Sequence, residues 1–205
     1  TDPGTQRANR RTAKLLFRSL RDAGVVRVVP RDDARGARVV MGEGIDRDFS
    51  LNHALSLYLV QTLARLDPEA GTYALDVVTL VESVLENPDA ILMKQLDKLK
   101  TQKLDELKAQ GVEYDERMEE LAKLEYPKPL REFVYATFNE FAAAHPWVGA
   151  ENIRPKSVAR EMYELFYTFD EYVRDYSLQR AEGTVLRYLH DVYKSLVQNV
   201  PETYK

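Results

Sequence analysis

Cysteine is absent from the 205 residues, histidine occurs three times and tryptophan once. Without thiols there are no disulfide staples and no thiolate metal sites, a composition that suits a reducing cytoplasm. His53, His145 and His190 stand too far apart for His-x-x-x-His spacing, so packing or capping is expected of them rather than metal ligation. No apolar run approaches the ~20 residues that cross a bilayer. The opening stretch Thr1-Asp2-Pro3-Gly4-Thr5-Gln6-Arg7 has no apolar signal core, and no membrane partner is expected. An initiator methionine is also missing, as in a processed chain or a fragment of a longer one.

Catalytic signatures are missing as well. A nucleotide-hydrolysing centre needs a Gly-rich loop ending in Lys-Ser/Thr and a carboxylate for the metal, and no such loop occurs. The pairs Asp105-Glu106, Asp115-Glu116 and Asp170-Glu171 lie in polar helical stretches, not after an apolar strand, and read as solvated helix charges. No Gly-x-Ser-x-Gly elbow is present. The chain by itself is expected to carry no catalytic residue, cofactor or metal.

What is present is charge, at 30 % of residues, with a net value of −4. Residues 1–50 hold 11 Lys/Arg against 7 Asp/Glu, so a basic N-terminal quarter hides within an acidic average. Acidity argues against a free-standing nucleic-acid binder, whereas the uneven distribution leaves room for local basic stripes.

Periodicity supplies the fold. Arg7 to Ala23 reads as an amphipathic helix, with Leu16, Leu20 and Ala23 on one face and Arg7, Arg11, Lys14, Arg18 and Arg21 opposite; Gly24 is a good stop. The β-branched runs 25–29 and 37–41 flank a charged, Gly-containing loop and predict a β-hairpin. A helix followed by a hairpin matches the second half of a winged helix. Ser50 is a candidate cap, and helices are then predicted over Leu51–Leu66, Thr72–Leu85, Asp89–Gln110, Tyr114–Leu124, Leu130–Ala144, Pro155–Tyr176 and Ala181–Val197. The Asp89–Leu124 pair has only a thin apolar seam and reads as a projecting charged helical hairpin. The expected class is mainly α: a helical bundle over 49–205 with the 89–124 hairpin, preceded by a partial winged helix over 1–48.

Three features carry functional weight. Arg11, Lys14 and Arg18 lie on the basic face of the first helix, suited to phosphates or simply to solvent or an acidic neighbour. Tyr163, Phe166, Tyr167, Phe169, Tyr172 and Tyr176 would serve as stacking platforms if exposed, but their helical spacing with Leu165 and Val173 is foremost that of a core. Arg180, Arg187 and Lys194 recur every seven residues, which drifts only ~20° per step, and so form one stripe about 21 Å long. Such a stripe suits a single strand; the plainer account is a solvated face with Arg187 paired to Asp191.

The stretch Ala181-Glu182-Gly183-Thr184-Val185-Leu186-Arg187 resembles the Glu-Gly-Ser/Thr-apolar-apolar-Arg signature in the C-terminal helical (DSHCT-type) domain of superkiller-type DExH helicases. Tyr73-Ala74-Leu75-Asp76, Gly111-Val112-Glu113-Tyr114-Asp115-Glu116, Tyr126-Pro127-Lys128-Pro129, His145-Pro146-Trp147-Val148-Gly149 and Pro155-Lys156-Ser157 resemble a more specific family. This is the domain of unknown function at the C-terminus of bacterial DEAD/DEAH-box helicases. The likeness runs from about Phe49 onward. It implies upstream motor domains, which would hold ATP and Mg, and a cytoplasmic accessory domain that guides single-stranded RNA or DNA, with Arg187 the leading strand contact and Arg180 and Lys194 beside it. The charged hairpin departs from the general superkiller pattern, and the alternative is a scaffold that docks a protein partner through residues 89–124.

Overall fold

A computed structural model of the chain describes residues 2–22, 24–30, 36–42, 55–148, 152–201 and 204. Among them a long helix α1 (Pro3–Asp22) leads into the antiparallel strands β1 (Val26–Pro30) and β2 (Ala37–Met41). Their register pairs Val26 with Met41 and Val28 with Val39. Eight further α-helices follow: α2 (Ser56–Leu63), α3 (Tyr73–Val84), α4 (Asp89–Ala109), α5 (Tyr114–Ala122), α6 (Arg131–Ala144), α7 (Ala159–Glu164), α8 (Phe169–Asp175) and α9 (Glu182–Asn199). The class is therefore mainly helical, a helical bundle with one β-hairpin. The hairpin loop 31–35, the Ser50 cap, the predicted helix start at 51–54, His53 and Gly149 lie outside the described residues.

The described chain groups into two compact units. The first comprises residues 1–74, 132–153 and 195–205. Its centre is Tyr58 of α2, fully buried, with its ring edge-on to Phe138 at 5.6 Å and Phe141 at 5.5 Å. The Tyr58 hydroxyl sits 2.8 Å from Thr137 Oγ1, so the polar tip of a core ring is satisfied inside α6. His145 stacks on Phe141 and bonds its carbonyl through Nδ1, a packed capping histidine. By contrast α1 buries none of its residues; Trp147 Nε1 donates to Ser19 Oγ at 3.4 Å, and Leu15, Leu16 and Leu20 are half-buried.

The second unit comprises residues 75–131 and 154–194. Leu80 and Val81 of α3, Ile91 of α4, Tyr172 of α8 and Val185 of α9 are fully buried in it. The inner turns of α4 belong to this core through Ile91, Leu92 and Gln95, whereas α5 buries nothing. The thin seam expected of the charged hairpin thus describes its outer part, where Leu107 is the one buried residue among those described.

Three expectations are corrected. The single helix predicted over Pro155–Tyr176 is two short ones, α7 and α8, because the turn at 165–168 has its own capping chemistry: Thr168 and Glu171 form a reciprocal capping box at the start of α8. The aromatic run 163–176 is not one core face, since Tyr172 and Tyr176 are buried while Tyr163 and Phe166 are exposed. Apolar spacing in the last helix predicts a buried seam of Val185, Leu189, Val192 and Leu196; in α9 the buried row is instead Val185, Tyr188, Val192, Ser195 and Asn199, while Leu189 and Leu196 are half-buried, and Tyr188 wins its inward place by a hydrogen bond described below.

Phe166 is the oddest position in the unit. Tyr167 N–H donates to the Met162 carbonyl at 2.8 Å and Phe166 N–H to that of Tyr163, the paired bonds that close a helix with a left-handed residue. Glycine fills that place after α1 and α4, at Gly24 and Gly111, but here it is Phe166 with φ +53°. A Cβ in that region costs roughly 1–2 kcal/mol, and an 88 % exposed ring returns almost nothing. Phe166→Gly is therefore expected to stabilise the fold by about 0.5–1 kcal/mol after the unfolded-state entropy of glycine is subtracted. Thermal melting checks it: a rise of about 1–3 °C is expected, and a fall would show that the ring packs.

Candidate nucleic-acid interface

The orientation of α9 is decided by a buried carboxylate on α3. Glu82 is fully buried. Its Oε1 accepts from the N–H groups of Val158 at 2.8 Å and Ala159 at 3.0 Å and from the Tyr188 hydroxyl at 3.0 Å, and its Oε2 from the Arg160 N–H at 3.1 Å. The side chain of α7's own capping residue, Val158, makes no cap bond, so Glu82 supplies the acceptor that a helix start requires. The reciprocal cap comes from Lys156, whose ammonium donates to the carbonyls of Glu82, Leu85 and Arg154 at 2.6, 2.7 and 2.9 Å. Two of these carbonyls lie at the end of α3. Each segment thus satisfies the other's orphan backbone groups.

Burial dominates the electrostatics of this hub. It raises the Glu82 pKa, against the opposing pull of its three backbone donors and Tyr188. It pushes the Lys156 ammonium down to about 7, with the Glu82 charge pulling the other way. Burial, and then the neighbouring Glu82 charge, also lift the Tyr188 phenol far above its usual value. A second cluster adjoins it in sequence and in the same unit: Gln95 Nε2, Tyr172 Oη and Tyr176 Oη all donate to the Glu161 carboxylate.

With Tyr188 held inward, the opposite face of α9 is left to solvent: Leu186, Arg187, His190, Tyr193 and Lys194 are all exposed. Arg187 is 82 % exposed along its side chain and stands 3.9 Å from Asp191, a surface pair worth little. Lys194 lies seven residues on, about 10 Å along the axis, with the exposed ring of Tyr193 beside it in sequence. Arg180 is exposed too, but in the 3-10 turn Gln179–Ala181 that precedes α9. Three residues per turn there break the helical phase, so the continuous three-residue stripe shortens to Arg187 and Lys194. In the other unit Arg11, Lys14 and Arg18 are exposed along α1; Lys14, Arg18 and Arg21 share an open face of that helix with Ala13 and Phe17.

Sequence reading alone missed Glu82, Lys156, Tyr188 and Tyr193. The available signal was Glu82 itself, a charged residue in helical register with Leu75, Val78 and Thr79. The acidic pairs behave as solvated charges at Asp105, Glu106, Asp115 and Glu116, all exposed, while Glu171 is used in capping. Among the described residues no group of three or more His, Asp or Glu side chains is placed to hold a metal, and no helix is long and apolar enough to cross a membrane.

Residues 1–205 match the family model described as Domain of unknown function (DUF3516), and the chain belongs to that family. No curated protein and no solved structure matches it.

Proposed function

We propose that this member of the family is the accessory C-terminal domain of an ATP-dependent superfamily-two helicase, and that the outer face of α9 guides single-stranded RNA or DNA. One observation carries the reading: two exposed cations, Arg187 and Lys194, share a helix face with the exposed Tyr193 and Leu186. Cations at that spacing meet backbone phosphates, and an exposed ring beside them offers a base a stacking surface. The Glu-Gly-Thr-Val-Leu-Arg resemblance ending at Arg187 points the same way. The hydrolysis of ATP, with its Mg, would belong to motor domains elsewhere in the helicase; α1, with Arg11, Lys14 and Arg18, would add a separate basic surface.

Fluorescence anisotropy with a labelled single strand tests this. Binding by the chain is expected to be weak and salt-sensitive, and Arg187→Ala with Lys194→Ala should lower affinity several-fold at low salt. The slope of log affinity against log salt should flatten by about 0.7 for each phosphate contact removed. Affinity indifferent to both substitutions would refute the assignment of α9.

A second reading, a protein-docking arm at the α4–α5 hairpin, draws on α5 burying none of its residues and exposing Tyr114 at 63 %. The arm must be trimmed beyond Gln95, because that side chain belongs to the buried Glu161 cluster. Excising residues 101–122 should then leave strand affinity unchanged; a change would tie the arm to the strand instead.

A further inference from the structure

Gly183 stands in the first turn of α9, and the fold around it gives no reason for a glycine. Its backbone is not left-handed, unlike that of Gly24, Gly36 and Gly111. Among the described residues, a Cβ added at Gly183 would meet no atom within 4 Å, so no neighbouring element needs the gap. Alanine would suit the helix better, because glycine gives up more backbone freedom when it is ordered. A glycine that weakens its own helix and relieves no crowding leaves room for something outside the chain.

The neighbours of the gap on the helix surface identify its occupant. Successive residues of an α-helix turn by about 100°, so Gly183, Arg187, His190 and Lys194 fall within an arc of about 60°. All four are exposed. Leu186 and Tyr193, 63 and 66 % exposed, form a parallel apolar row about 60–80° to one side. Glu182 and Asp191 lie about 80–100° away on opposite flanks, so the gap opens onto the cation row. We propose that Gly183 is the point of closest approach between the single strand and α9. The missing side chain admits the strand's sugar–phosphate backbone against the helix, one turn before Arg187, and brings a phosphate within reach of that guanidinium. There a charge-assisted bond replaces the long 3.9 Å pair with Asp191. The approach is lateral, onto the face that Arg187 and Lys194 line, and does not use the N–H groups at the helix end. Because it meets backbone and not bases, the contact is indifferent to strand sequence. It rests on the reading of α9 as the strand face and adds to that face a contact that no charge marks.

Fluorescence anisotropy of the whole chain with a labelled single strand tests this, with Gly183→Ala, Gly183→Leu and Thr184→Leu beside the unsubstituted chain. Gly183→Leu should lower affinity about tenfold at low salt, the worth of one charge-assisted phosphate contact, and Gly183→Ala by less. The melting temperature should hold or rise in both, since the added carbons have room and helix propensity improves. Thr184→Leu adds bulk one residue on, about 100° round the helix, and should leave affinity unchanged. In a chain that already carries Arg187→Ala, Gly183→Leu should lower affinity little further, because both substitutions remove the same contact. Losses that simply multiply overturn the proposal, as does a loss matched by Thr184→Leu or accompanied by a lower melting temperature. Strand affinity untouched by Gly183→Leu also overturns it, and the gap then serves a protein segment instead. If that happens while Arg187→Ala and Lys194→Ala still weaken binding, only the role of Gly183 falls. If none of these substitutions changes binding, the assignment of α9 falls with it.

Discussion

Alanine in place of Glu82 is expected to cost about 3–5 kcal/mol, the range for breaking a buried, fully hydrogen-bonded charge site. The substitution leaves the N–H groups of Val158, Ala159 and Arg160 and the Tyr188 hydroxyl without their acceptor, and each stranded buried donor costs about 1–3 kcal/mol if water does not reach it. The Lys156 ammonium also loses the nearby negative charge that offsets its burial. Glutamine should be milder. Its carbonyl oxygen can serve Val158, Ala159 and Tyr188 at the Oε1 position, while its amide faces the Arg160 N–H, a donor against a donor. Urea unfolding followed by circular dichroism measures both, and hydrogen exchange at Val158, Ala159 and Arg160 should quicken in each variant. A loss below about 1 kcal/mol for Glu82→Ala, the size of one ordinary hydrogen bond, would show that Glu82 is not the hub that ties α3, α7 and α9 together.

Stability is expected to rise from neutral pH to about pH 10 and then collapse. Lys156 governs the rise. Its folded pKa is about 7 against an ordinary value of 10.5, so between those limits the unfolded chain binds more protons and stability increases with pH. Three buried tyrosines govern the fall. Burial raises the Tyr172, Tyr176 and Tyr188 phenols above the usual 10.0, reinforced by Glu161 for the first two and Glu82 for the third. Above pH 10 their unfolded counterparts lose protons that the folded ones keep, and the stability present below that value is lost as pH increases. Each group that titrates only when unfolded contributes about 1.4 kcal/mol per pH unit. Urea midpoints across the range should therefore show an ascending limb that Lys156→Met removes. The steep descending limb should soften by one proton's worth in Tyr172→Phe. A profile flat between pH 9 and 11 would contradict the burial of these phenols.

The locally coded parts of the molecule are legible in the amino-acid sequence. The stops at Gly24 and Gly111, the β-branched runs on either side of the 31–36 loop and the proline and asparagine breaks between helices act within a few residues. The elements they delimit appear where periodicity places them, with ends shifted by a few residues. The longest misreading, one helix over Pro155–Tyr176, comes from a competition that periodicity cannot weigh: the Thr168–Glu171 capping box restarts the helix, and Phe166 accepts a left-handed backbone to let it. For the candidate strand face, Arg187 and Lys194 were legible because a seven-residue interval on one helix is itself a spatial statement. Arg180 was overextended, because the same interval crosses a 3-10 turn.

The amino-acid sequence by itself determined a mainly helical chain with one hairpin, no thiol chemistry and a cation pair on its last helix, because composition and local periodicity act directly on backbone and helix face. Only the tertiary structure decided which side of that helix faces out. Leu189 is the more apolar neighbour, yet Tyr188 turns inward, because its hydroxyl finds Glu82 across 106 positions of sequence and a buried carboxylate with four donors outweighs one aliphatic side chain. The outward display of Arg187, Tyr193 and Lys194 follows from that bond. At the 163–166 turn, by contrast, Tyr163 and Phe166 stay exposed, and packing withholds the burial that aromatic spacing promised.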